Sequence, residues 1–360
     1  MVYTARQRAM IWLNMIIGLS AQKIARLESV VKAETLITNP VKYADRLSDV
    51  IGKVYADKLR EPFEDKLIND IVWELNAKKI GVITMGDYEY PELLENIDTP
   101  PYILYYKGDV SLLKTKCLGI VGTRNPSRYG IDCTKSFAET LANAGITIAS
   151  GLARGIDGVA HKATLDAGGK TIGVLGCGID VIYPAENATL YNSVAQNGLI
   201  ISEYGLGINA SQYHFPERNR IISGISQGIL VAEAGLKSGS LITANLALEQ
   251  GREVFVIPSA LNSPRGAGSN KLIRDMQGAI VLSPDDVAER LGMHGHKEVA
   301  SAMQLDFIEE QVVSALTYSN LHFDDLLKIT GLGVSDLNAL LTRMELMQII
   351  KKLDNNQYGV

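Results

Sequence analysis

The sequence predicts an α/β fold in which a doubly wound, mostly parallel sheet follows an all-α N-terminal domain and precedes a C-terminal winged helix. Short apolar runs alternate with helical stretches through the middle of the chain. Residues 1–75 show helical periodicity, and the last 60 residues have the spacing of a helix-turn-helix followed by a hairpin. Strands that are apolar along their whole length and joined by helices are typical of parallel sheets covered on both faces.

The positions of these patterns divide the chain into four parts. We predict a helical domain over 1–75, a sheet domain over 80–290, a linker over 291–304 and a winged helix over 305–360. Within the sheet domain, apolar runs predict strands near 82–84, 102–106, 118–121, 146–149, 171–175, 199–202, 229–232, 254–257 and 280–282.

The overall charge excludes a general attraction to polyanions. The chain of 360 residues has a formal net charge of -5, so an anionic ligand requires a local basic patch. Residues 119–170 and 215–275 together carry +4, whereas the last 60 residues carry -4. Because phosphate neutralisation provides most non-specific affinity for DNA, an acidic winged helix is better suited to a protein partner than to a duplex.

The three cysteines and five histidines form no recognisable metal or disulfide pattern. No C-x-x-C spacing occurs, and an odd number of cysteines favours a reducing cytoplasm. The apolar run 9–19 after Arg6 and Arg8 could imitate a signal peptide, but helical periodicity continues through Leu27. We expect no membrane span, no metal and no cofactor.

The stretch 214–255 carries the strongest functional signal. It places an Arg-Asn-Arg cluster and then a Lys-Ser-Gly-Ser turn at the ends of apolar runs, where parallel sheets bind ligands. Such a turn at a helix N-terminus binds phosphate through amides, hydroxyls and a point charge together. The candidate phosphate contacts are Arg218, Asn219, Arg220, Lys237, Ser238, Gly239 and Ser240.

Two earlier glycine-rich turns resemble further anion sites. In the first, Gly122 and Thr123 would let amides approach an anion at the positive end of the following helix, and Arg124 and Arg128 would supply forked donors. Alternatively, Gly122 only permits tight packing. The turn does not match the dinucleotide fingerprint G-x-G-x-x-G.

The second turn contains Gly151, and Asp157 follows as the predicted N-cap of a helix. His161 has no second histidine nearby, so a packed or hydrogen-bonded imidazole is the favoured interpretation. Cys177 has no evident histidine partner, and the sequence indicates no catalytic residue.

Taken together, these motifs resemble those of the bacterial DNA-processing protein A family, also called DprA or Smf. The resemblance spans residues 80–285 and rests on GTRNPSRYG, SGLARGIDGVAH, VLGCGIDVIYP, FPERNRIISGIS, EAGLKSGSLITANLALEQGREVFVIP and GAGSNKLI. It implies an extended Rossmann-like domain that forms homodimers and binds single-stranded DNA without known catalysis. It further implies loading of the RecA recombinase onto incoming DNA during natural transformation.

The family's phosphate contacts correspond by motif to residues of this chain. The resemblance implies a phosphate-binding role for Arg124, Arg218, Arg220 and Lys237, with Ser238, Gly239 and Ser240 as a cradle. Asn270 and Lys271 are implied at the rim of the pocket. The N-terminal domain resembles a sterile-alpha-motif-like or helix-hairpin-helix-like module, although its turn at Gly18 lacks the paired glycines of a DNA-gripping hairpin.

Two other functions remain open at this point. Related Rossmann-like nucleotide phosphoribohydrolases carry a catalytic glutamate after the corresponding turn, and Glu249 is the candidate here. Their Pro-Gly-Gly turn is replaced by Gly-Leu-Lys-Ser-Gly-Ser. A transcription regulator that reads duplex DNA with its winged helix is the third hypothesis.

Overall fold

The computed structural model describes residues 2–61, 65–292, 307–318, 320–346, 349–353 and 357–359. Contacts between residues divide the chain into two compact units, Met1–Gly295 and His296–Val360. Residues 293–304 of the predicted linker lie outside the described residues. Within the described ranges, every helix is too short or too polar to span a bilayer.

Six α-helices and one π-helical segment, Trp12–Ile17, form the N-terminal part of the first unit. A capping box starts the first helix: the Thr4 hydroxyl accepts from the Gln7 amide at 3.2 Å, and the Gln7 side chain accepts from the Thr4 amide at 3.0 Å. The α-helices are α1 (Ala5–Ile11), α2 (Ala21–Glu28), α3 (Ala33–Leu36), α4 (Pro40–Ile51), α5 (Lys53–Lys58) and α6 (Asp65–Ala77).

These helices share a hydrophobic core with the sheet that follows. Leu13 and Leu27 belong to the same buried cluster as Tyr105 and Ile200 of the sheet. An ion pair also joins the helical part to the sheet part, where Lys78 Nζ lies 2.6 Å from a carboxylate oxygen of Asp180. The predicted boundary near residue 75 therefore marks a change from helices to strands within one compact unit.

The sheet has nine strands, and those of the middle of the chain are buried on both faces as their apolar sequences predict. The strands are β1 (Gly81–Thr84), β2 (Ile103–Gly108), β3 (Cys117–Val121), β4 (Thr147–Ser150), β5 (Thr171–Leu175), β6 (Leu199–Ser202), β7 (Gly228–Val231), β8 (Glu253–Val256) and β9 (Ala279–Ile280).

The strand order is β1-β2-β6-β5-β4-β3-β7-β8-β9. From β3 to β9 all pairs are parallel, while β1 and β2 extend the sheet as an antiparallel edge. This confirms the predicted doubly wound, mostly parallel sheet. The chain runs outward from β3 to β6 on one side and then returns to β7 on the other, so the winding reverses between β3 and β7.

Eight helices accompany the strands, and they contribute to different hydrophobic clusters. Buried side chains of α8, α9 and α14 pack together in one cluster, and those of α7, α11, α12 and α13 in another. The helices are α7 (Glu92–Glu95), α8 (Arg128–Asn143), α9 (Ile156–Asp166), α10 (Ala188–Asn197), α11 (His214–Ile225), α12 (Ser240–Glu249), α13 (Ala267–Arg274) and α14 (Pro284–Arg290).

The second unit has the predicted winged-helix architecture. Three helices enclose a small core that includes Leu326, Leu341 and Tyr358. A three-stranded sheet of order β10-β12-β11 forms the wing. The elements are α15 (Phe307–Tyr318), β10 (Leu321–His322), α16 (Phe323–Thr330), α17 (Val334–Leu346), β11 (Lys351–Leu353) and β12 (Gln357–Gly359).

Candidate functional site

A cavity of about 730 Å³ opens at the carboxyl ends of β3 and β7, where the winding of the sheet reverses. Ligands of open α/β sheets bind at such reversals. The turns after β3 and β7 and the first turns of α11 and α12 form its walls, and we call it the switch-point pocket. The predicted contacts that line it are Gly122, Arg124, Arg218, Asn219, Lys237, Ser238, Gly239 and Ser240.

The turn before α12 brings the predicted serine, glycine and lysine residues together at the pocket. The hydroxyls of Ser238 and Ser240 lie 2.7 Å apart. Gly239 is the N-cap and has no side chain, and the first turn of α12, which the structure describes in full, contains no acidic residue. The amides of the first turn donate within the turn itself, to oxygens of Ser238 and Gly239. The groups that can act on an anion together are therefore the two hydroxyls, the Lys237 ammonium and the positive end of the α12 dipole.

Arg124 lines the switch-point pocket together with two aromatic rings. Its guanidinium lies 5.3 Å from the centroid of the Phe215 ring, which stacks on Tyr183 at 5.4 Å. No carboxylate lies within ion-pairing distance of this guanidinium in the described part of the chain. An unpaired arginine beside a stacked pair of rings suits a ligand that has both phosphates and flat bases.

Close packing holds the backbone of Arg124 in place. Gly155 has φ of 74°, and a Cβ there would overlap the carbonyl oxygen of Thr123 and lie 2.8 Å from Arg124 Cα. A Cβ at Gly122 would similarly lie 2.5 Å from Ile156 Cγ1. Gly122 thus has the packing role that the sequence left open, while it also lines the pocket.

The predicted anion site at the N-terminus of α8 is wrong, because the chain fills it with its own carboxylate. The buried Glu233 accepts hydrogen bonds from the amide and the hydroxyl of Ser127, each at 2.7 Å. The Thr123 amide is also used, since it donates to the Glu233 carbonyl oxygen at 2.7 Å. The first turn of α12, by contrast, contains no acidic residue.

Arg218 is buried, with a relative exposure of 4%. Its Nη1 donates to the carbonyl oxygen of Gly151 at 2.8 Å and to that of Val174, so it joins the ends of β4 and β5. Burial lowers the pKa of its guanidinium, and the neighbouring Asp157 opposes that shift. Arg218 therefore forms part of the pocket floor, and its hydrogen bonds hold the ends of β4 and β5 together there.

Asp157, which also lines the pocket, and His161 are both buried near Arg218. The N-cap of α9 is Gly155 and not Asp157, whose carboxylate instead accepts from the Gly151 amide at 3.1 Å. Burial raises the pKa of the Asp157 carboxyl, and the positive charge of the nearby Arg218 acts in the opposite direction. Gly151 itself lines a small recess of about 60 Å³ shared with Arg124 and Arg218.

His161 is packed and hydrogen-bonded, as the sequence favours. The Thr171 hydroxyl donates to the Ile148 carbonyl oxygen at 2.6 Å, so His161 Nδ1 donates to Thr171 Oγ1 at 2.7 Å. Nε2 then accepts from the Leu152 amide at 3.4 Å. Burial, together with the charge of Arg218, lowers the pKa of His161 to about 3, so the imidazole is neutral.

Five predicted contacts do not line the switch-point pocket, and one of them is Gly151, which lines the small recess instead. Arg220 pairs with both carboxylate oxygens of Glu203 at 2.8 Å and lines a separate cavity of about 450 Å³. Arg128 is highly exposed and lies 3.2 Å from an Asp132 oxygen.

The other two lie on α13. The Asn270 amide group is used within the protein, accepting from the Ser259 amide at 3.0 Å and donating to the Ser259 carbonyl oxygen at 2.9 Å. Lys271 lies 3.6 Å from a carboxylate oxygen of Asp275. Both side chains already have partners within or beside α13, and the predicted rim contacts are not brought to the pocket.

The carboxylate on which the enzyme alternative depends is also remote from the pocket. Glu249 is the last residue of α12, whereas Ser240 is the first. The rise of an α-helix places them about 14 Å apart along its axis. The pocket does contain a carboxylate that sequence reasoning had assigned only a capping role, Asp157.

Sequence reasoning also missed Tyr183, whose ring forms part of the pocket wall. Tyr183 belongs to the motif VLGCGIDVIYP, and no local pattern indicates that its ring stacks on Phe215 from another part of the chain. A tertiary contact of this kind is visible only in the structure.

Two family models match the chain. The model described as "DNA recombination-mediator protein A" matches residues 81–292, which include the switch-point pocket. The model described as "DprA winged helix domain" matches residues 296–356.

Several curated proteins are similar over much of their length. DNA processing protein DprA of Bacillus subtilis is 45% identical over 214 residues, which cover 59% of this chain and 71% of that protein. Protein Smf of Escherichia coli is 48% identical over 213 residues, or 58% of this chain and 56% of that protein. Protein Smf of Synechocystis is 31% identical over 350 residues, or 83% and 87%.

Two solved structures share the fold at appreciable identity. The crystal structure of DprA from Streptococcus pneumoniae superimposes with a TM-score of 0.69 and 34% identity, covering 80% of this chain and 98% of that one. A structure of DNA processing protein A from Helicobacter pylori, described as showing its single-stranded DNA binding mode, gives a TM-score of 0.55 and 33% identity. It covers 60% of this chain and 97% of that one.

Proposed function

Because the chain belongs to the DNA recombination-mediator protein A family, also called DprA or Smf, we propose that its switch-point pocket binds the backbone of single-stranded DNA. The observation that carries this proposal is that two cations, Arg124 and Lys237, line one cavity and have no carboxylate partner among the described residues. The positive end of the α12 dipole, beside the hydroxyls of Ser238 and Ser240, adds a third anion-binding feature.

The lining of the pocket favours a single strand over a free nucleotide or a duplex. Phe215 and Tyr183 supply ring faces on which unpaired bases can stack. The bases of a duplex are already stacked on one another and have no free faces to offer. The similarity to the Helicobacter pylori protein, described as binding single-stranded DNA, supports the same ligand.

The protein acts on this strand by binding and not by catalysis. Glu249, the candidate glutamate of a nucleotide phosphoribohydrolase, lies at the far end of α12 from the phosphate-binding turn. Asp157, the acid within the pocket, accepts from the Gly151 amide and lies beside the Arg218 charge. This arrangement suits a structural carboxylate.

We further propose a role in natural transformation, in which the protein protects incoming DNA and loads RecA recombinase onto it. The support for this step is membership of the family. The protein works in the cytoplasm, and its three unpaired cysteines, two of them buried, suit a reducing compartment. An assay of RecA filament formation on strands coated with single-strand binding protein tests the loading step.

The proposed assembly is a homodimer joined at the β9 end of the sheet. This edge strand carries Ile280 with 51% exposure, and Met276 and Leu282 beside it in the chain are still more exposed. An exposed apolar edge strand is a natural template for pairing with another chain. A two-fold axis would bring the same apolar residues of two copies together.

Equilibrium binding of the purified full chain to labelled single strands and to duplex of the same sequence tests the binding proposal. We expect single strands to bind more tightly at every salt concentration, with log K falling steeply as log[salt] rises. Equal affinity for duplex, or a shallow salt dependence, would contradict it. Release of a free base from a nucleoside monophosphate would support the enzyme alternative instead.

A further inference from the structure

A second groove, of about 920 Å³, lies next to the switch-point pocket and is formed by α8, α9 and α10. We call it the helix groove. Arg124 lines both cavities, and the next two residues, Asn125 and Pro126, line the helix groove. The turn after β3 is therefore a wall common to the two cavities, and Arg124 can contact a ligand in either of them.

Two further cations line the helix groove. Lys162 of α9 and Arg265, from the loop before α13, are both exposed. Within the described ranges neither side chain has a carboxylate partner, in contrast to Arg128 and Lys271, each of which pairs with an acid on its own helix. With Arg124 at the junction, three unpaired cations follow the groove.

The acids of the helix groove do not cancel this charge. Glu186 is already paired with Arg154, through a contact of 2.6 Å from Nη2 and a second from Nε. Asp166 is the other acid of the lining. The three cations therefore face one carboxylate without a cationic partner among the described residues.

Between the cations, the lining is mainly apolar and neutral polar. Ile131, Val159, Leu165 and Leu190 provide hydrocarbon surface, and Asn187 contributes an amide edge. A ligand that suits this surface has negative charges at intervals and flat apolar faces between them. Single-stranded nucleic acid has that combination, because each nucleotide joins a phosphate to an unpaired base.

We propose that a strand held in the switch-point pocket continues past Arg124 into the helix groove, where Lys162 and Arg265 contact its next phosphates. The inference rests on the proposed function, because it extends the same ligand. The helix groove is then a second subsite that strengthens the binding of long strands and leaves that of short ones unchanged.

Binding of oligo(dT) strands of about 4 to 16 nucleotides, the range of site sizes for single-strand binding folds, tests the inference. We expect the wild-type affinity to rise with length in two steps, the first for the switch-point pocket and the second for the helix groove. In the double variant K162E/R265E the second step disappears, and the longest strands bind about tenfold more weakly at moderate salt. The shortest strands keep their wild-type affinity.

Two further variants provide a gain-of-binding test and a control. Asp166→Asn removes the unpaired carboxylate from the helix groove, so long strands should bind about twofold more tightly while short ones do not change. Lys271→Glu matches the charge change of K162E on an exposed helix outside both cavities and should leave all lengths unchanged. Circular dichroism verifies that each variant is folded.

The inference is overturned if K162E/R265E binds long strands as well as the wild type does, or if short and long strands lose affinity equally. If the groove instead binds an apolar peptide, strand affinity is unchanged at every length. Failure of the proposed function looks different, because the wild type would then bind no single strand of any length.

Discussion

The Glu233 carboxylate caps the helix that follows the first glycine-rich turn, accepting from the Ser127 amide and from the Ser127 hydroxyl at 2.7 Å each. Glu233 follows β7, whereas Ser127 follows β3, so this contact joins the two turns that flank the reversal of the sheet. The anion at the N-terminus of α8 is thus a carboxylate of the protein itself. The first turn of α12 has no such carboxylate of its own.

Glu233→Gln should destabilise the fold. The substitution removes the negative charge that caps α8 and gives the Ser127 amide and hydroxyl a weaker acceptor. We expect the free energy of unfolding to fall by about 2 kcal/mol. Denaturant unfolding measures this loss. Glu249→Gln, at an exposed position on α12, is the matched control and should change stability by less than about 0.5 kcal/mol. Equal stability of the two variants would show that the cap is unimportant.

Arg218 and Lys237 line one pocket but should respond differently to substitution. Arg218→Ala removes the bonds to the ends of β4 and β5 and leaves Asp157 without its cation, so stability should fall by about 3 kcal/mol. Lys237→Ala should keep wild-type stability and bind single strands about tenfold more weakly. Unfolding curves and binding isotherms on both variants separate the two roles. A stable Arg218→Ala protein would contradict the structural role.

The buried His161 predicts a specific pH dependence of stability. Its pKa is about 3 in the folded chain and about 6.5 in the unfolded chain, so below pH 6.5 the unfolded state takes up a proton that the folded state does not. Stability is therefore lost as the pH falls from about 6.5 towards 3, by up to about 4 kcal/mol.

His161→Gln retains hydrogen-bonding groups but cannot titrate, so the difference in unfolding free energy between wild type and variant should shrink as the pH is lowered. Unfolding by urea at a series of pH values measures it. Should the difference stay constant between pH 7 and pH 4, His161 would not be a buried neutral imidazole.

Ile280→Asp should abolish the proposed homodimer. The substitution places a charge on the apolar edge strand β9, where self-association would have to desolvate it. Sedimentation velocity should give the mass of a dimer for the wild type and of a monomer for the variant. Leu261→Asp is the control, since Leu261 is 97% exposed and lies in the loop after β8, outside the edge strand itself. A dimer that survives Ile280→Asp must use another surface.

Much of the fold follows from short-range patterns. Two-sided apolar runs joined by helices specify a parallel sheet, and the predicted strands 171–175 and 199–202 coincide with β5 and β6. The order of turns along the chain also indicated the end of the sheet at which the pocket lies. The edge strand β9 begins one residue before the predicted run 280–282 and ends at Ile280, because its register with β8 covers Ala279 and Ile280.

The individual site contacts were harder to predict. Arg218, Asn219 and Arg220 are consecutive on α11, and successive residues of a helix point about 100° apart, so they cannot all face one cavity. Arg220 is directed instead to Glu203. The sequence cannot reveal which side of α11 faces the pocket, since both sides contact protein. The internal partners of Arg128, Asn270 and Lys271 likewise depend on side-chain placement in the fold.

Arg124 and the α12 turn are proposed to bind the backbone of a single strand. The most direct test compares Arg124→Ala with Arg128→Ala, two arginines of the same turn of which only Arg124 lines the pocket. Single-strand binding is measured by fluorescence anisotropy across a salt series. For Arg124→Ala we predict about tenfold weaker binding and a salt slope smaller by about 0.7 per lost phosphate contact. Arg128→Ala should match the wild type. Wild-type affinity and salt slope in Arg124→Ala would contradict the claim.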